Sequence, residues 1–160
     1  MLRRSLLTSA IAASLLTTFS LPAFATQVYE TDLVIIGGGL SGLAAAQSAV
    51  DQGAKPIVLE KEAALGGGGN FPEGSLGVGT RYQKEHNINT TVDQVLIAAL
   101  QYHHYRADPH VLRVLIEESG KTIDWVMDKG AQMRGIRTMY PKDESLMTWH
   151  LFKGGAAGII

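Results

Sequence analysis

The chain has 160 residues with 46% hydrophobic and 18% charged content, which is the composition of about one folded domain and excludes a disordered acidic or basic chain. Its formal net charge is −1, from 14 Lys and Arg against 15 Asp and Glu, so it carries no electrostatic footprint for nucleic acid. It has no cysteine, which excludes disulfides, zinc–thiolate and iron–sulfur ligation, thiol nucleophiles and c-type haem attachment; its 18 glycines point to special backbone geometry somewhere along the chain.

Residues 1–25 read as a secretory signal peptide. Arg3 and Arg4 form the positive start, Leu6 to Phe19 is an uncharged and mostly apolar stretch, and Ala23-Phe24-Ala25 after Pro22 fits a cleavage site. The many Ser and Thr and the break at Pro22 favour removal over a membrane anchor. Arg3-Arg4 with Ser5-Leu6-Leu7 also resembles a twin-arginine signal, so the Sec and twin-arginine routes both fit and both imply an exported, periplasmic protein. Residues 26–160 are then the folded part.

Leu33-Val34-Ile35-Ile36 has the β-branched content of a buried parallel strand. Three glycines follow, then an Ala-rich helix over Ser41 to Gln52 with Gly53 as its stop, then a second strand over Pro56 to Glu60. These elements make one βαβ unit. Gly66 to Gly79 reads as an ordered glycine-rich loop. Thr91 and Gln94 fit a capping box ahead of a helix whose packed face is Val92, Val95, Leu96, Ala99 and His103. Asp108-Pro109 starts the next helix, with Leu112, Leu115 and Ile116 as its buried stripe and Gly120 as its stop. A third helix covers Lys121 to Lys129 and ends at Gly130. From Gly154 the chain is apolar, as though a helix begins there. With the open strand edges of a single βαβ unit, this leads us to expect the N-terminal part of an incomplete dinucleotide-binding domain.

Gly37-x-Gly39-x-x-Gly42 fits G-x-G-x-x-G with a strand before it, a helix after it, and Glu60 at the end of the next strand, 18 residues beyond Gly42. In this motif Gly37 permits the tight turn, Gly39 lets a pyrophosphate approach the backbone and Gly42 lets the helix pack close to the strand. Gly39 is also a position where a positive φ is expected. The free N–H groups and positive end of the helix favour phosphate, and Glu60 accepts from ribose hydroxyls while repelling a 2′-phosphate. The motif by itself does not separate FAD from NAD.

The run Asp32-Leu33-Val34-Ile35-Ile36-Gly37-Gly38-Gly39-Leu40-Ser41-Gly42-Leu43-Ala44-Ala45-Ala46, followed by Glu60-Lys61, Gly68-Gly69-Asn70 and Glu73-Gly74, resembles the start of the fumarate reductase/succinate dehydrogenase flavoprotein family. The likeness continues through Asp108-Pro109, Asp124-Trp125 and Gly130-Ala131. The resemblance implies an α/β, Rossmann-like FAD-binding domain. Its cofactor contacts would fall on Gly37, Gly38, Gly39, Leu40, Ser41, Gly42, Glu60 and Lys61, with Gly69, Asn70 and Gly74 on the flavin side. One branch of that family links its flavin to a His in this loop; no His stands here, which implies non-covalent FAD. Residues 70–74 are shorter than the family's usual spacing. The family's catalytic Arg and substrate-binding His and Arg correspond to positions past Ile160, so no catalytic residue is assigned.

The activity implied is an FAD-dependent reduction or oxidation of a C=C or CH–CH bond in a small organic acid. The electron donor would be a separate redox protein or a further domain. The alternative is a truncated or non-catalytic flavin-binding module. An oxidoreductase with two dinucleotide domains shares the first motif, but Gly68-Gly69-Asn70 and the helices after it speak against that. No metal site is expected: His103 and His104 are adjacent and diverge on a helix, and His110 lies across a helix boundary. His150 and Trp125 read as structural, and Arg106, Arg113, Arg134 and Arg137 as solvated.

Overall fold

The computed structural model describes residues 27–139 and 146–158. The chain divides into two compact units, Met1–Glu30 and Thr31–Ile160. In the first, the described residues 27–30 have no regular secondary structure, and the leader read at 1–25 lies outside the described residues.

The second unit opens with the βαβ motif. Strand β1 (Leu33–Ile36), helix α1 (Leu40–Asp51) and strand β2 (Pro56–Leu59) form in order, and the strands pair in parallel with Leu33 beside Pro56 and Ile36 beside Leu59. Gly53, at φ 84°, ends α1 in the left-handed region that favours glycine. Among the described residues this sheet has two strands, and its apolar side chains are widely accessible: Ile36 is 88% exposed.

A 3-10 helix (Gly67–Asn70) and strand β3 (Gly74–Leu76) occupy the segment expected to be loop. Helix α2 (Arg81–Glu85) follows, capped by a reciprocal Thr80–Gln83 box that the sequence reading passed over. Helix α3 (Val92–Tyr102) carries the expected Thr91–Gln94 box, and it buries Val95, Leu96 and Ala99; His103 is its exposed C-cap, not part of the packed face. Helix α4 (Pro109–Asp128) is N-capped by the Asp108 carboxylate, which accepts from His110 N–H at 2.8 Å.

The expected stop at Gly120 is corrected. Helix α4 runs unbroken through it to Asp128, and Gly130, two residues on, takes the left-handed φ of 106°. Gly120 is buried, and it is glycine because a Cβ there would strike the Val78 carbonyl oxygen. Leu115, placed by periodicity in the buried stripe, is 57% exposed; Leu112 and Ile116 pack inward.

Strands β4 (Met133–Thr138) and β5 (Met147–Phe152) complete an antiparallel sheet of order β3-β5-β4, which the sequence did not announce. A short 3-10 helix (Gly155–Gly158) stands where a helix start was expected. The core gathers Val78, Val95, Leu96, Ala99, Ile116 and Leu146.

His150, fully buried in β5, is structural. Its Nδ1 donates to the Thr148 carbonyl at 3.0 Å, and its Nε2 pairs with the Thr80 hydroxyl at 2.9 Å. Burial pushes its pKa below the ordinary 6.5, opposed in part by the Thr148 bond and the charge of Asp124. Below pH 6.5 the unfolded chain therefore takes up a proton that the folded chain resists, so stability falls with pH until the lowered folded pKa is reached and is fully present above 6.5. Thermal melting between neutral and mildly acid pH is expected to show this slope, and His150→Gln to flatten it. An unchanged slope in the variant would show that the imidazole is not its source.

Candidate functional site

The glycine turn between β1 and α1 is set by conformation at one glycine and by sterics at others. Gly37 has φ 99°, so the turn needs glycine there. Its N–H donates to the Leu59 carbonyl at 2.8 Å, which ties the turn to β2. A Cβ on Gly42 would strike the Gly37 carbonyl oxygen, so Gly42 is what lets α1 start this close to β1. The expected positive φ at Gly39 is corrected: its φ is −71° and ψ 177°, extended backbone that any residue adopts. What distinguishes Gly39 is open space. A Cβ there would meet only the Gly66 carbonyl oxygen, at 3.9 Å.

Gly39 is the N-cap of α1 and offers no side-chain cap, and the first turn has no acidic residue. The first helical bond runs from Leu43 N–H to the Gly39 carbonyl at 2.9 Å, so the amides before it have no partner inside the helix. An open approach, amides without helical partners and the positive end of a twelve-residue helix together suit an anion. Leu40 and Ser41, both exposed, form that first turn.

The parallel register brings Glu60 beside the turn. Its Oε2 accepts from Gly38 N–H at 2.6 Å, and its Oε1 from Glu62 N–H at 2.9 Å. These bonds, Glu62 first and Gly38 second, hold its pKa below the usual carboxylate value, so it is an anion at neutral pH. Each oxygen keeps acceptor capacity for a ligand hydroxyl. Sequence reasoning missed the bond to Gly38, although the strand register implies it. The Lys61 side chain is well exposed and pairs with Glu62 at 3.4 Å.

Of the residues expected on the flavin side, two sit near the turn. Gly69 lies against the Leu40 side chain, and Asn70 donates from its amide to the Leu65 carbonyl at 2.9 Å. Gly74 is in β3, and a Cβ there would strike the His150 carbonyl oxygen, which gives that glycine a packing reason. A cavity of about 650 Å³ between α1 and the second half of α4 is lined by Leu40, Leu43, Gly74, Trp125 and Phe152, among others; Gly37, Gly39, Gly42 and Glu60 do not line it.

No cluster of His, Asp and Glu suited to a metal occurs among the described residues. Arg113 pairs with Asp93 at 2.8 Å and Arg137 with Glu73 at 2.8 Å, both on the surface.

The sequence profile of the FAD binding domain family matches residues 32–155. The chain belongs to that family. This FAD binding domain is 35% identical to the vinyl phenol reductase of Lactiplantibacillus plantarum over 129 residues, 81% of this chain and 26% of that protein. It is 31% identical to the NADH:fumarate oxidoreductase of Klebsiella pneumoniae over 135 residues, 77% of this chain and 14% of that protein. To the fumarate reductase (cytochrome) of Shewanella frigidimarina it is 31% identical over 119 residues, 73% of this chain and 21% of that protein. The chain thus spans about a quarter or less of the length of these curated relatives. Its fold is similar to part of a flavocytochrome c3 fumarate reductase solved in the open conformation, with TM-score 0.63 and 21% identity over 97% of this chain and 25% of the other. The α/β reading of the FAD binding domain and its likeness to fumarate reductase flavoproteins therefore hold, and the antiparallel sheet is added to them.

Proposed function

We propose that the chain holds FAD non-covalently, with the pyrophosphate on the turn Gly37–Gly42 and the adenosine ribose on Glu60. Gly69 and Asn70 border the cofactor in this reading, and Gly74 lies farther along toward the flavin. The observation that carries it is the pairing of an open, uncapped helix start at Gly39 with a carboxylate already oriented by Gly38 N–H. The absence of His from residues 60–80 supports non-covalent attachment.

Bound FAD would supply two-electron chemistry. With relatives named as reductases of fumarate and of vinyl phenol, the reading extends to reduction or oxidation of an activated C=C or CH–CH bond, with a small organic acid as substrate class. The leader-like residues 1–25 support an exported, periplasmic protein, by either the Sec or the twin-arginine route. Among the described residues no helix is long and apolar enough to cross a membrane. Without cysteine the chain holds no c-type haem or iron–sulfur cluster of its own, so electrons come from a separate redox protein or from a further domain.

Reconstitution with FAD followed by acid precipitation tests this. The flavin is expected in the supernatant. Glu60→Ala is expected to weaken FAD binding by at least about tenfold, because a charged acceptor is lost. Glu62→Ala should bind as the unaltered chain does, since only its backbone N–H is used. Equal retention in the two variants would refute the ribose assignment. Turnover of fumarate-like acids with a reduced dye would favour the enzyme, and flavin without turnover the binding module.

A further inference from the structure

The glycine turn is gripped by the segment that follows β2. Gly38 gives its N–H to Glu60 Oε2 at 2.6 Å, and its carbonyl accepts from Gly66 N–H at 2.7 Å. Gly39 and Gly66 lie side by side as a parallel bridge. The Leu65 side chain fills the place beside Gly38: a Cβ on Gly38 would lie 2.5 Å from Leu65 Cδ2. One turn on, Gly69 abuts Leu40. Gly38 is not among the glycines with positive φ; what a Cβ there would meet is side chain, Leu65 Cδ2 at 2.5 Å and the Glu60 Oε2 and Cβ at 3.1 and 3.3 Å, so Leu65 and Gly38 occupy complementary space. Leu65 is 45% exposed and is not in the core cluster.

Three consecutive glycines have large backbone freedom, and a ligand that binds them must otherwise order them itself. We propose that Leu65 is a positioning residue for cofactor binding: seated in the notch that Gly38 leaves open, it holds the glycine turn and the start of α1 in the form that receives the phosphates. This rests on the reading that the turn holds the FAD pyrophosphate.

The test uses the full chain with Leu65→Ala, Leu65→Met, Gly38→Ala and the double variant Leu65→Ala/Gly38→Ala. Three quantities are measured: FAD affinity, melting temperature without FAD, and hydrogen exchange of the Gly38–Leu43 amides without FAD. Leu65→Ala is expected to weaken FAD binding several-fold and to speed that exchange, with the melting temperature held. Leu65→Met is expected to restore both. Gly38→Ala should weaken binding on its own, and by less once Leu65 is Ala, because the side chain it strikes is gone. Unchanged affinity and exchange in Leu65→Ala, or strictly additive effects in the double variant, would overturn the proposal. A lowered melting temperature in Leu65→Ala with exchange raised across the whole chain would also overturn it, since Leu65 would then serve general stability. If the unaltered chain binds no FAD, the cofactor reading fails; the amide exchange still decides whether Leu65 holds the turn.

Discussion

Gly39→Val is expected to abolish FAD binding and to leave the fold in place. The backbone at Gly39 is extended, a conformation valine adopts readily, and the only atom near a new Cβ is 3.9 Å away. Valine is a poorer N-cap than glycine, at a loss of about 1 kcal/mol or less, well short of unfolding a typical domain. On the ligand side the isopropyl group occupies the approach to the α1 amides, where a phosphate needs hydrogen-bonding distance. Circular dichroism and a thermal melt should match the unaltered chain, while flavin absorbance after reconstitution and gel filtration should be lost. A yellow Gly39→Val protein would refute the phosphate assignment.

Gly120→Ala is expected to damage the fold itself. Two effects oppose each other. Inside a helix alanine is favoured over glycine by about 1 kcal/mol. Against this, the new methyl would strike the Val78 carbonyl oxygen and lie 3.1 Å from the Val78 carbonyl carbon. These are backbone atoms, and Val78 is also tied by its N–H to the Ser119 hydroxyl at 3.1 Å. The neighbour has no rotamer with which to yield, and overpacking of this kind costs typically about 1–3 kcal/mol, occasionally more. The clash therefore wins, and urea unfolding should show a lowered midpoint. A raised midpoint would mean that α4 and the segment after β3 stand farther apart than described.

Three glycines show what was legible in the sequence and what was not. Gly53 and Gly130 were read as helix stops, and both have positive φ, a local requirement that flanking residues announce. Gly120 looked the same, with a helical pattern on each side, but its cause is the approach of Val78, 42 residues earlier. Sequence patterns carry conformation along the chain, not contact across it. The antiparallel sheet was missed for the same reason: Gly74–Leu76 is too short to show a period, and it pairs with residues of β5 some 75 positions later. The Thr80–Gln83 box has the same spacing as Thr91–Gln94, but the helix it caps is five residues long, too short to show an apolar face in the sequence. At the candidate site, the glycine spacing and Glu60 were readable. The hold of Glu60 on Gly38 N–H needed the strand register, and the part played by Leu65 needed the path of the loop.

Helix α1 contains no fully buried residue, and the hydrophobic core of the chain lies elsewhere, around Val95 and Ile116. Local stability is therefore uneven: the half that forms the glycine turn opens more readily than the half built on α3 and α4. A ligand that binds only the closed turn acts as a missing part of that half's interior. By mass action it contributes about 2.7 kcal/mol when present at a hundred times its dissociation constant. With the cofactor on the turn as proposed, its supply would become a folding variable for the βαβ unit.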